Sequence, residues 1–417
     1  MRKPEQGAAA VQPKTKKAMA VIDVDFNDLP ASLPHLRGYA SALVLLRLRG
    51  RPVGQALLPV VDGKIGGERP LSEALMRAAN WSFWQHWLRD YLSCGEEEND
   101  TAGVPAATVA VCTRDRPRDL ERCLAALIRL PDDGQELLVV DNCPSTDATR
   151  RLVKACGRVR YVREDRPGLN VARNRALREA AHDIVAFTDD DAAPDPGWLR
   201  ALVKNFRDPL VLCVTGLTMP RELATEAQQC FEHFIGFAAG FRRTVFEAAT
   251  HNPLEGWMAG AGVNMALRRA VLDRVGPFDE ALDAGTPTLS GGDNDMFGRV
   301  LAAGYRIVYE PEALNWHRHR YSWKELREQF YSYGVGGFAA WTRALLVDGE
   351  AGVLRQAEKW SQTFWPTLTR SLLGRPGGIP LDLLLRHFLG CAVGPWAYLY
   401  SRWSVNRRAP RYGAQSG

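Results

Sequence analysis

One stretch constrains this chain more than any other: an apolar run that ends in three consecutive aspartates. Residues 184–187 read IVAF, and Asp189, Asp190 and Asp191 follow after one threonine. Three adjacent carboxylates repel one another, so water or a divalent cation must offset their charge. An acidic turn in an ordinary loop would simply be solvated. In open α/β sheets, however, ligands bind where strands end, and the apolar strand directly before Asp189 therefore favours a metal site.

Short apolar runs alternate with segments of helical periodicity on both sides of that stretch. One helix is expected to begin at Pro117, whose fixed φ angle is favourable in a first turn, and to bury Leu120, Leu124 and Leu127. The apolar runs lie at residues 108–113, 137–140, 159–162, 184–188 and 210–214. Alternating strands and helices with short connections predict an α/β domain whose mostly parallel sheet is covered by helices.

The sequence divides into four regions. Residues 1–17 are predicted to be a disordered basic tail, and residues 18–104 a small accessory α+β region. Residues 105–320 form the predicted main domain, and residues 321–417 a helical extension.

Several elements are expected outside the alternating core. They are a strand pair around Gly50–Pro52, one helix over Leu71–Leu92, a linker at Gly95–Pro105, a helix over Glu226–Glu247, and helices over Trp323–Leu345, Val353–Leu373 and Leu381–Trp403.

Charge and cysteine content exclude several classes of protein. A net charge of +5 in 417 residues is mild and lies largely in the two tails, which argues against nucleic acid as a partner. Eight cysteines are scattered without zinc-type spacing, which is typical of buried thiols in a reducing compartment. The chain has no apolar signal segment at its start and no apolar run of spanning length, so we expect a cytoplasmic protein.

The last predicted helix leaves two interpretations open. Leu381–Trp403 is rich in leucine and aromatic residues, is interrupted by Asp382 and Arg386, and is followed by arginines. This pattern is typical of an interfacial helix that makes a peripheral contact with the inner face of the cell membrane. It is equally typical of a helix packed on the main domain.

A series of motifs between about Thr108 and His319 resembles glycosyltransferase family 2, the inverting nucleotide-sugar enzymes with the Rossmann-like GT-A fold. The matching segments, in the family's order, are CTRDR at 112–116, VVDN at 139–142 with STD at 145–147, GLNVARN at 168–174, DDD at 189–191, GAGVNMA at 260–266, GPFDE at 276–280, and GGDND at 291–295 followed by Arg299 and AGY at 303–305. Three positions depart from the family pattern: Cys112 replaces a proline, Asp115 an asparagine and Gly292 a glutamate.

The resemblance implies a divalent cation, Mg²⁺ or Mn²⁺. Asp189 and Asp191 match the family's metal-binding DxD motif, and they are one residue apart, so both can reach one ion. Departure of a diphosphate needs a cation held by hard oxygen ligands, which agrees with that assignment. His317 lies where related enzymes have a histidine that contacts metal or phosphate, and His319 is a second candidate.

The resemblance also divides the remaining site residues between donor and acceptor. Asp293 is the candidate general base for an acceptor hydroxyl, with a charge at a helix start as the structural alternative. The candidates for nucleotide or donor binding are Thr113, Arg116, Asp141, Arg173 and Asp190. The candidates for acceptor or sugar binding are Trp257, Gly262, Asn264 and Asp295, of which Trp257 could equally be a core residue and Asp295 a helix-start charge.

These residues predict a metal-dependent inverting glycosyltransferase. It would move a sugar from a nucleotide-diphosphate sugar to a hydroxyl of a saccharide or lipid-linked saccharide, in cell-surface polysaccharide or glycolipid synthesis. Two alternatives remain. A nucleotidyltransferase would need a glycine-rich loop after the first strand, whereas that loop reads RDRPRD here. A non-catalytic sugar-binding protein would be expected to lack the metal aspartates or the base.

Overall fold

The computed structural model describes residues 18–29, 33, 36–65, 71–79, 81–92 and 105–408. The predicted basic tail, residues 1–17, and nearly all of the predicted linker, residues 95–104, lie outside the described residues.

A small sheet and two short helices form the N-terminal region. Its elements are β1 (Met19–Asp25), β2 (Ser41–Leu48), β3 (Arg51–Val61), β4 (Lys64–Ile65), α1 (Leu71–Ala78) and α2 (Trp81–Tyr91). The predicted strand pair is the antiparallel hairpin β2–β3. Its two-residue turn, Arg49–Gly50, has positive φ at both positions, as tight hairpins require. The sequence analysis missed β1, which pairs with β2 in parallel, and the helix predicted over 71–92 is in fact two helices.

A nine-stranded sheet forms the centre of the main domain. Its strands are β5 (Ala107–Thr113), β6 (Glu136–Asn142), β7 (Val159–Glu164), β8 (Ile184–Asp189), β9 (Ala192–Pro194), β10 (Val211–Pro220), β11 (Thr244–Phe246), β12 (Asn264–Arg268) and β13 (Arg306–His317). The order is β11-β13-β10-β12-β8-β5-β6-β7, with β9 paired to β13. The pairings give β5, β6, β7, β8, β10 and β13 one common direction, so the predicted mostly parallel sheet is confirmed.

Helices cover both faces of this sheet. They are α3 (Pro117–Leu127), α4 (Ala148–Cys156), α5 (Leu169–Glu179), α6 (Trp198–Val203), α7 (Glu226–Phe234), α8 (Val271–Arg274) and α9 (Gly292–Ala302). Successive side chains of a strand point to opposite faces. In β5, Val109 and Val111 therefore pack with Leu120 of α3, whereas Ala110 packs with Ala172 of α5.

The helix predicted over Glu226–Glu247 is wrong beyond its first half. A capping box between Thr225 and Gln228 starts α7 as expected, but the helix ends at Phe234. Gly236 and Gly240 follow with positive φ, a conformation that cannot continue a helix. The segment then forms β11, which pairs with β13.

Three long helices follow the main domain: α10 (Trp323–Val347), α11 (Gly352–Leu372) and α12 (Leu381–Arg408). The predicted helical C-terminal region is therefore confirmed. A capping box between Ser322 and Glu325 starts α10. Glycines bring α10 and α12 into direct backbone contact, and Tyr398 of α12 donates a hydrogen bond to Asp279 of the main domain. None of the helices in the described part of the chain is both long and apolar enough to cross a bilayer.

Candidate active site

The carboxyl ends of three adjacent strands place the key side chains along one edge of the sheet. Thr113 at the end of β5 is paired with Asp141 in β6, and Cys112 is paired with Asp189 at the end of β8. The strands run parallel, so these positions meet at the same edge, where ligands of α/β sheets bind. The register therefore brings together residues that are far apart in the sequence.

A possible metal site lies at this edge. Asp189, Asp191 and His317 each offer one ligand atom, and the three atoms lie within 4.8 Å of one another. Antiparallel pairing of β9 with β13 turns the chain back after β8 and brings Asp191 beside His317, with 3.2 Å between Oδ1 and Nε2. Nδ1 of His317 is buried and makes no hydrogen bond to the described residues. Two carboxylates and an imidazole are a donor set that divalent cations accept.

The electrostatics of the cluster favour an added positive charge. Burial and the neighbouring Asp191 carboxylate raise the pKa of Asp189 above its ordinary value. Burial acts in the same direction on Asp191, but the hydrogen bond and charge of His317, together with Arg116, outweigh it and hold the pKa of Asp191 well below the usual range. A divalent cation between the two carboxylates would favour ionisation of both, because a nearby opposite charge stabilises the anionic form.

Asp190, the middle residue of the three, is not part of the metal cluster. Thr113 donates a hydrogen bond of 2.7 Å to its Oδ2, and Arg116 donates one of 2.5 Å to Oδ1. A second nitrogen of Arg116 lies 2.8 Å from Asp191. Burial raises the pKa of Asp190 to about 7, against the opposing effects of Arg116 and Thr113. Thr113 and Arg116 thus fix the position of the Asp190–Asp191 segment.

Asp141 is fully buried in β6. Tyr161 donates a hydrogen bond of 2.9 Å to its Oδ2, whereas Oδ1 accepts no hydrogen bond that meets the usual geometry from the described residues. Burial raises the pKa of the Asp141 carboxyl, and the hydrogen bond from Tyr161 opposes that shift. A buried carboxylate oxygen without a donor is costly, which makes Asp141 a candidate for accepting a hydrogen bond from a ligand.

Arg173 lies at the centre of the site, buried between carboxylates. Its guanidinium donates to Asp283 at 2.7 Å. Burial alone would lower the pKa of Arg173, but Asp283, Asp293 and Asp189 reverse that effect and raise it. Arg173, predicted to bind the nucleotide or donor, is therefore a buried cation between the metal cluster and the candidate base.

The sequence analysis missed Asp283. It lies in the loop between α8 and α9 and adopts φ of 81°, an uncommon conformation for a residue other than glycine. No motif marked it, and only the tertiary structure brings it to Arg173.

Asp293 lies in the first turn of α9, where two backbone N–H groups orient its carboxylate. Gly262 donates to Oδ2 at 2.8 Å, and Asn294 donates to Oδ1 at 2.8 Å. A Cβ atom at Gly262 would lie 2.7 Å from the Arg173 guanidinium and 3.1 Å from Asp293 Oδ2, so a larger residue would have to displace these two side chains. Gly262 thus acts through its backbone, and the carboxylate keeps lone pairs for a further donor.

Two predicted acceptor residues have internal partners. The Asn264 amide donates to the carbonyl oxygens of Leu217 and Ala313 and accepts a hydrogen bond from Trp198. Asp295 accepts hydrogen bonds from Arg299 at 2.9 Å and lies 3.1 Å from Arg343. His319, the second histidine candidate, lies 2.9 Å from Glu232 and is not part of the metal cluster.

A large cavity extends from the candidate site to the C-terminal helices. Its volume is about 2370 Å³, and Asp189, Asp293 and His317 line it. Trp257, which is 58% exposed rather than in the core, lines it as well. Trp341 of α10 and Trp360 of α11 form part of the same wall. The sequence analysis did not assign these two tryptophans, because aromatic residues in amphipathic helices are usually packing residues.

Comparison with known proteins gives a family match for the central part of the chain. Residues 108–276 match the family model described as Glycosyl transferase family 2. This range includes Asp141, Arg173 and the three consecutive aspartates. It does not include Asp293 or His317, whose assignment therefore depends on the geometry described above.

Several characterised and solved proteins are similar to the chain. A pre-mycofactocin glycosyltransferase of Mycobacterium tuberculosis is 29% identical over 241 residues, 56% of this chain and 46% of that protein. The O-antigen chain rhamnosyltransferase RfbN of Salmonella typhimurium is 26% identical over 207 residues, 48% of this chain and 62% of that protein. The chain thus spans about half the length of the curated relatives it matches. The mannosyltransferase PcManGT of Pyrobaculum calidifontis, solved with GDP-Man and Mn²⁺, is 21% identical, with a TM-score of 0.46 over 78% of this chain and 94% of that one.

Proposed function

We propose that this chain, whose residues 108–276 form a glycosyltransferase family 2 domain, transfers a sugar from a nucleotide-diphosphate sugar to a hydroxyl acceptor with inversion at the anomeric carbon. One observation carries the proposal. Asp189 and His317, two members of the Asp189–Asp191–His317 cluster, line the same cavity as Asp293. A single displacement at a sugar carbon requires stabilisation of the charged leaving group, which a cation held by the cluster would supply. It also requires a group that accepts a proton, for which Asp293 is the candidate.

Asp189, Asp191 and His317 are the proposed ligands of a divalent cation, Mn²⁺ or Mg²⁺. Bound there, the cation would supply positive charge to the diphosphate leaving group of the donor. Thr113 and Arg116 would contribute by fixing the Asp190–Asp191 segment through their hydrogen bonds. This support matters because ligand orientation sets metal affinity.

Asp141 and Arg173 are the proposed nucleotide-side residues. Oδ1 of Asp141 has no donor of good geometry among the described residues, and a base or ribose could supply one. Arg173 carries a positive charge fixed by Asp283, and a phosphate oxygen entering the cavity would be attracted to it.

Asp293 is the proposed general base. Its two backbone hydrogen bonds hold the carboxylate beside Gly262, facing the cavity. There it would take the proton of the acceptor hydroxyl while the hydroxyl oxygen attacks the anomeric carbon, from the side opposite the leaving diphosphate. One base and one displacement give inversion.

The acceptor is proposed to lie between Asp293 and the C-terminal helices. The cavity exceeds the roughly 300–1,000 Å³ typical of a site for one small ligand, which leaves room for both a donor and an extended acceptor. Trp257, Trp341 and Trp360 offer flat faces on which sugar rings can pack. A saccharide or lipid-linked saccharide fits this lining, and its use in cell-surface polysaccharide or glycolipid synthesis is part of the proposal.

Replacing Asp293 by asparagine tests the base assignment. Asn keeps the shape and still accepts a hydrogen bond but cannot take a proton, so we expect kcat to fall by about 10²–10⁴-fold. Donor affinity measured by calorimetry should change little. Asp273→Asn, a change of the same type on the exposed side of α8, is the control and should leave kcat unchanged. Transfer at the wild-type rate in Asp293→Asn would overturn the base assignment.

A donor screen that measures the released nucleotide separates this proposal from its alternatives. With UDP-, GDP- and dTDP-sugars, a glycosyltransferase releases nucleoside diphosphate. A nucleotidyltransferase that acts on sugar phosphates releases pyrophosphate only from a nucleoside triphosphate and a sugar 1-phosphate, which are tested in parallel, and a binding protein releases neither product. We expect release of nucleoside diphosphate to require Mn²⁺ or Mg²⁺, to stop with a chelator, and to need a higher metal concentration in Asp191→Asn. Release that is indifferent to chelation would contradict the assigned metal ligands.

A further inference from the structure

One side of α12 exposes a row of large apolar side chains to solvent. The opposite side of the helix packs on α10 and the main domain through buried residues that include Leu383, Cys391 and Tyr398. The residues of this row recur at intervals of three, four or seven residues, so they follow one side of the helix. This C-terminal apolar face consists of Leu385, Phe388, Leu389, Trp396, Tyr400 and Trp403, each 40–72% exposed.

The segment that carries the C-terminal apolar face is positively charged. Residues 359–408 contain seven lysine and arginine residues and a single acidic residue, Asp382, which pairs with Arg327. The net charge of the whole chain is +5, so the rest of the chain is close to neutral. Near the end of the face, the guanidinium of Arg407 lies 3.9 Å from the ring centre of Trp403. Long cationic side chains beside exposed tryptophans are the composition of helices that lie in a membrane interface.

We propose that the C-terminal apolar face binds the surface of an anionic lipid bilayer, with α12 lying in the interface. Phosphate-bearing lipid headgroups complement the positive charge, and the acyl region accepts the leucine and aromatic side chains. A second copy of this chain fits less well, because it would bring two positively charged segments together. The helix is too polar to cross the bilayer, which is consistent with a contact parallel to the surface.

The C-terminal apolar face adjoins the catalytic cavity. Arg386 lines the cavity, and Leu385 and Phe388 on the same turns of α12 belong to the face. Phe388 also stacks with Phe364 of α11, whose neighbour Trp360 lines the cavity at a further point. Membrane binding would therefore bring the cavity close to the lipid surface. If the proposed transferase activity holds, an acceptor with a lipid anchor could then reach Asp293 without leaving the bilayer.

Vesicle sedimentation of the full chain tests the proposal without any donor or acceptor. The vesicles are phosphatidylcholine, alone or with phosphatidylglycerol. We expect binding to the mixed vesicles, weakened by added salt because surface charges are screened. Trp396→Glu should reduce the partition coefficient by at least about tenfold, since a large apolar side chain no longer enters the lipid. Leu389→Glu on the same face should act in the same direction.

Trp81→Glu is the matched control. Trp81 in α2 is 71% exposed and Trp396 72%, but Trp81 lies outside the C-terminal apolar face. Wild-type binding by Trp81→Glu and lost binding by Trp396→Glu, with equal melting temperatures, would support the proposal. Failure of the wild type to bind phosphatidylglycerol vesicles, or equal binding by Trp396→Glu, would overturn it. A wild-type dimer that Trp396→Glu converts to a monomer, without vesicle binding, would assign the face to a second copy and also overturn it.

Discussion

At the scale of single residues, the carboxylates of this site differ in what compensates their charge. Asp189 and Asp191 face one another beside His317, in an arrangement that a divalent cation would stabilise. Asp295, only two residues after the proposed base, is instead compensated by arginines of the protein itself. Arg299 comes from its own helix and Arg343 from α10. Burial raises the pKa of Asp295, and the two arginines oppose that shift. Its position thus indicates a structural role, and its predicted contact with acceptor stays a prediction.

Replacing Asp295 by asparagine should destabilise the fold without changing the acceptor KM. The change leaves the Arg299 guanidinium without an anionic partner and removes one of the three carboxylates around Arg343, so we expect the free energy of unfolding to fall by about 3 kcal/mol in urea titrations. Asp348→Asn is the matched control, because Asp348 also pairs with Arg343 but its side chain is 39% exposed, and the loss should stay under about 1 kcal/mol. A raised acceptor KM in Asp295→Asn with unchanged stability would instead support the acceptor role.

For residues that belong to local motifs, the sequence was sufficient to predict that their side chains lie close together. Asp141 and Asp189–Asp191 end apolar strands, so their meeting at one edge followed from parallel strand order. His317 was placed through family resemblance and lies in the metal cluster. Asp283 could not be predicted, since a loop aspartate acquires a role only through its contact with Arg173. The internal partners of Asn264 were equally invisible, because they come from β10, β13 and α6.

At the scale of elements, glycines determine how the two longest helices pack. Added Cβ atoms at Gly334 and Gly390 would lie 2.2 Å from the carbonyl oxygens of His387 and Tyr331 respectively. The helices α10 and α12 therefore touch backbone to backbone, side by side and in the same direction. Glycine usually weakens a helix by about 1 kcal/mol relative to alanine. Its presence in mid-helix here has a packing reason.

Two alanine substitutions separate the packing effect from helix propensity. Gly390→Ala places a methyl group against Tyr331, so we expect a loss of about 1–3 kcal/mol in the free energy of unfolding. Gly337→Ala, inside α10, meets no atom within 4 Å and should be neutral or stabilising by up to about 1 kcal/mol. Urea denaturation measures both. Equal effects of the two substitutions would show that backbone contact does not hold α12 on α10.

The sequence predicted helices and strands correctly where a hydrophobic pattern continued without interruption. It failed where a turn interrupts the pattern. The predicted α/β class, with its mostly parallel, helix-covered sheet and helical C-terminal region, is confirmed. The single helices predicted over 71–92 and 226–247 were wrong, because both patterns continued across residues that adopt other conformations. β11 has only three residues, and pairing with β13 rather than its own composition makes it a strand. Short strands of this kind depend on tertiary pairing.

At the scale of the whole molecule, the N-terminal sheet packs directly on the main sheet. Leu43 and Leu45 of β2 are buried against Leu217 and Met219 of β10 and Leu314 of β13. Arg47, two residues further along β2, donates a hydrogen bond of 2.7 Å to Asp195 and pairs with Asp23. Asp195 follows β9 directly, and β9 pairs with the end of β13 that carries His317. The accessory region is thus connected to the segment that carries His317, a proposed metal ligand.

Replacing Arg47 by methionine should therefore affect both stability and metal binding. The substitution keeps much of the apolar stem but leaves Asp195, with a side chain only 17% exposed, without its cationic partner. We expect the free energy of unfolding to fall by about 1.5–3 kcal/mol, the range for hydrogen bonds to charged groups. The Mn²⁺ concentration for half-maximal binding should rise a few-fold, because the turn after β9 loses a support.

Arg77→Met distinguishes this effect from general loss of a salt bridge in the same region. Arg77 is 65% exposed and pairs with Glu73 one turn away in α1, so its loss should cost less than about 0.5 kcal/mol and leave Mn²⁺ binding unchanged. Unfolding in urea and Mn²⁺ titration by calorimetry give the two quantities for both variants. If Arg47→Met matched Arg77→Met in both, the N-terminal sheet would be an appended unit. If it lowered metal affinity as well as stability, residues far outside the 108–276 range that matches the family model would help to hold the proposed metal site in place.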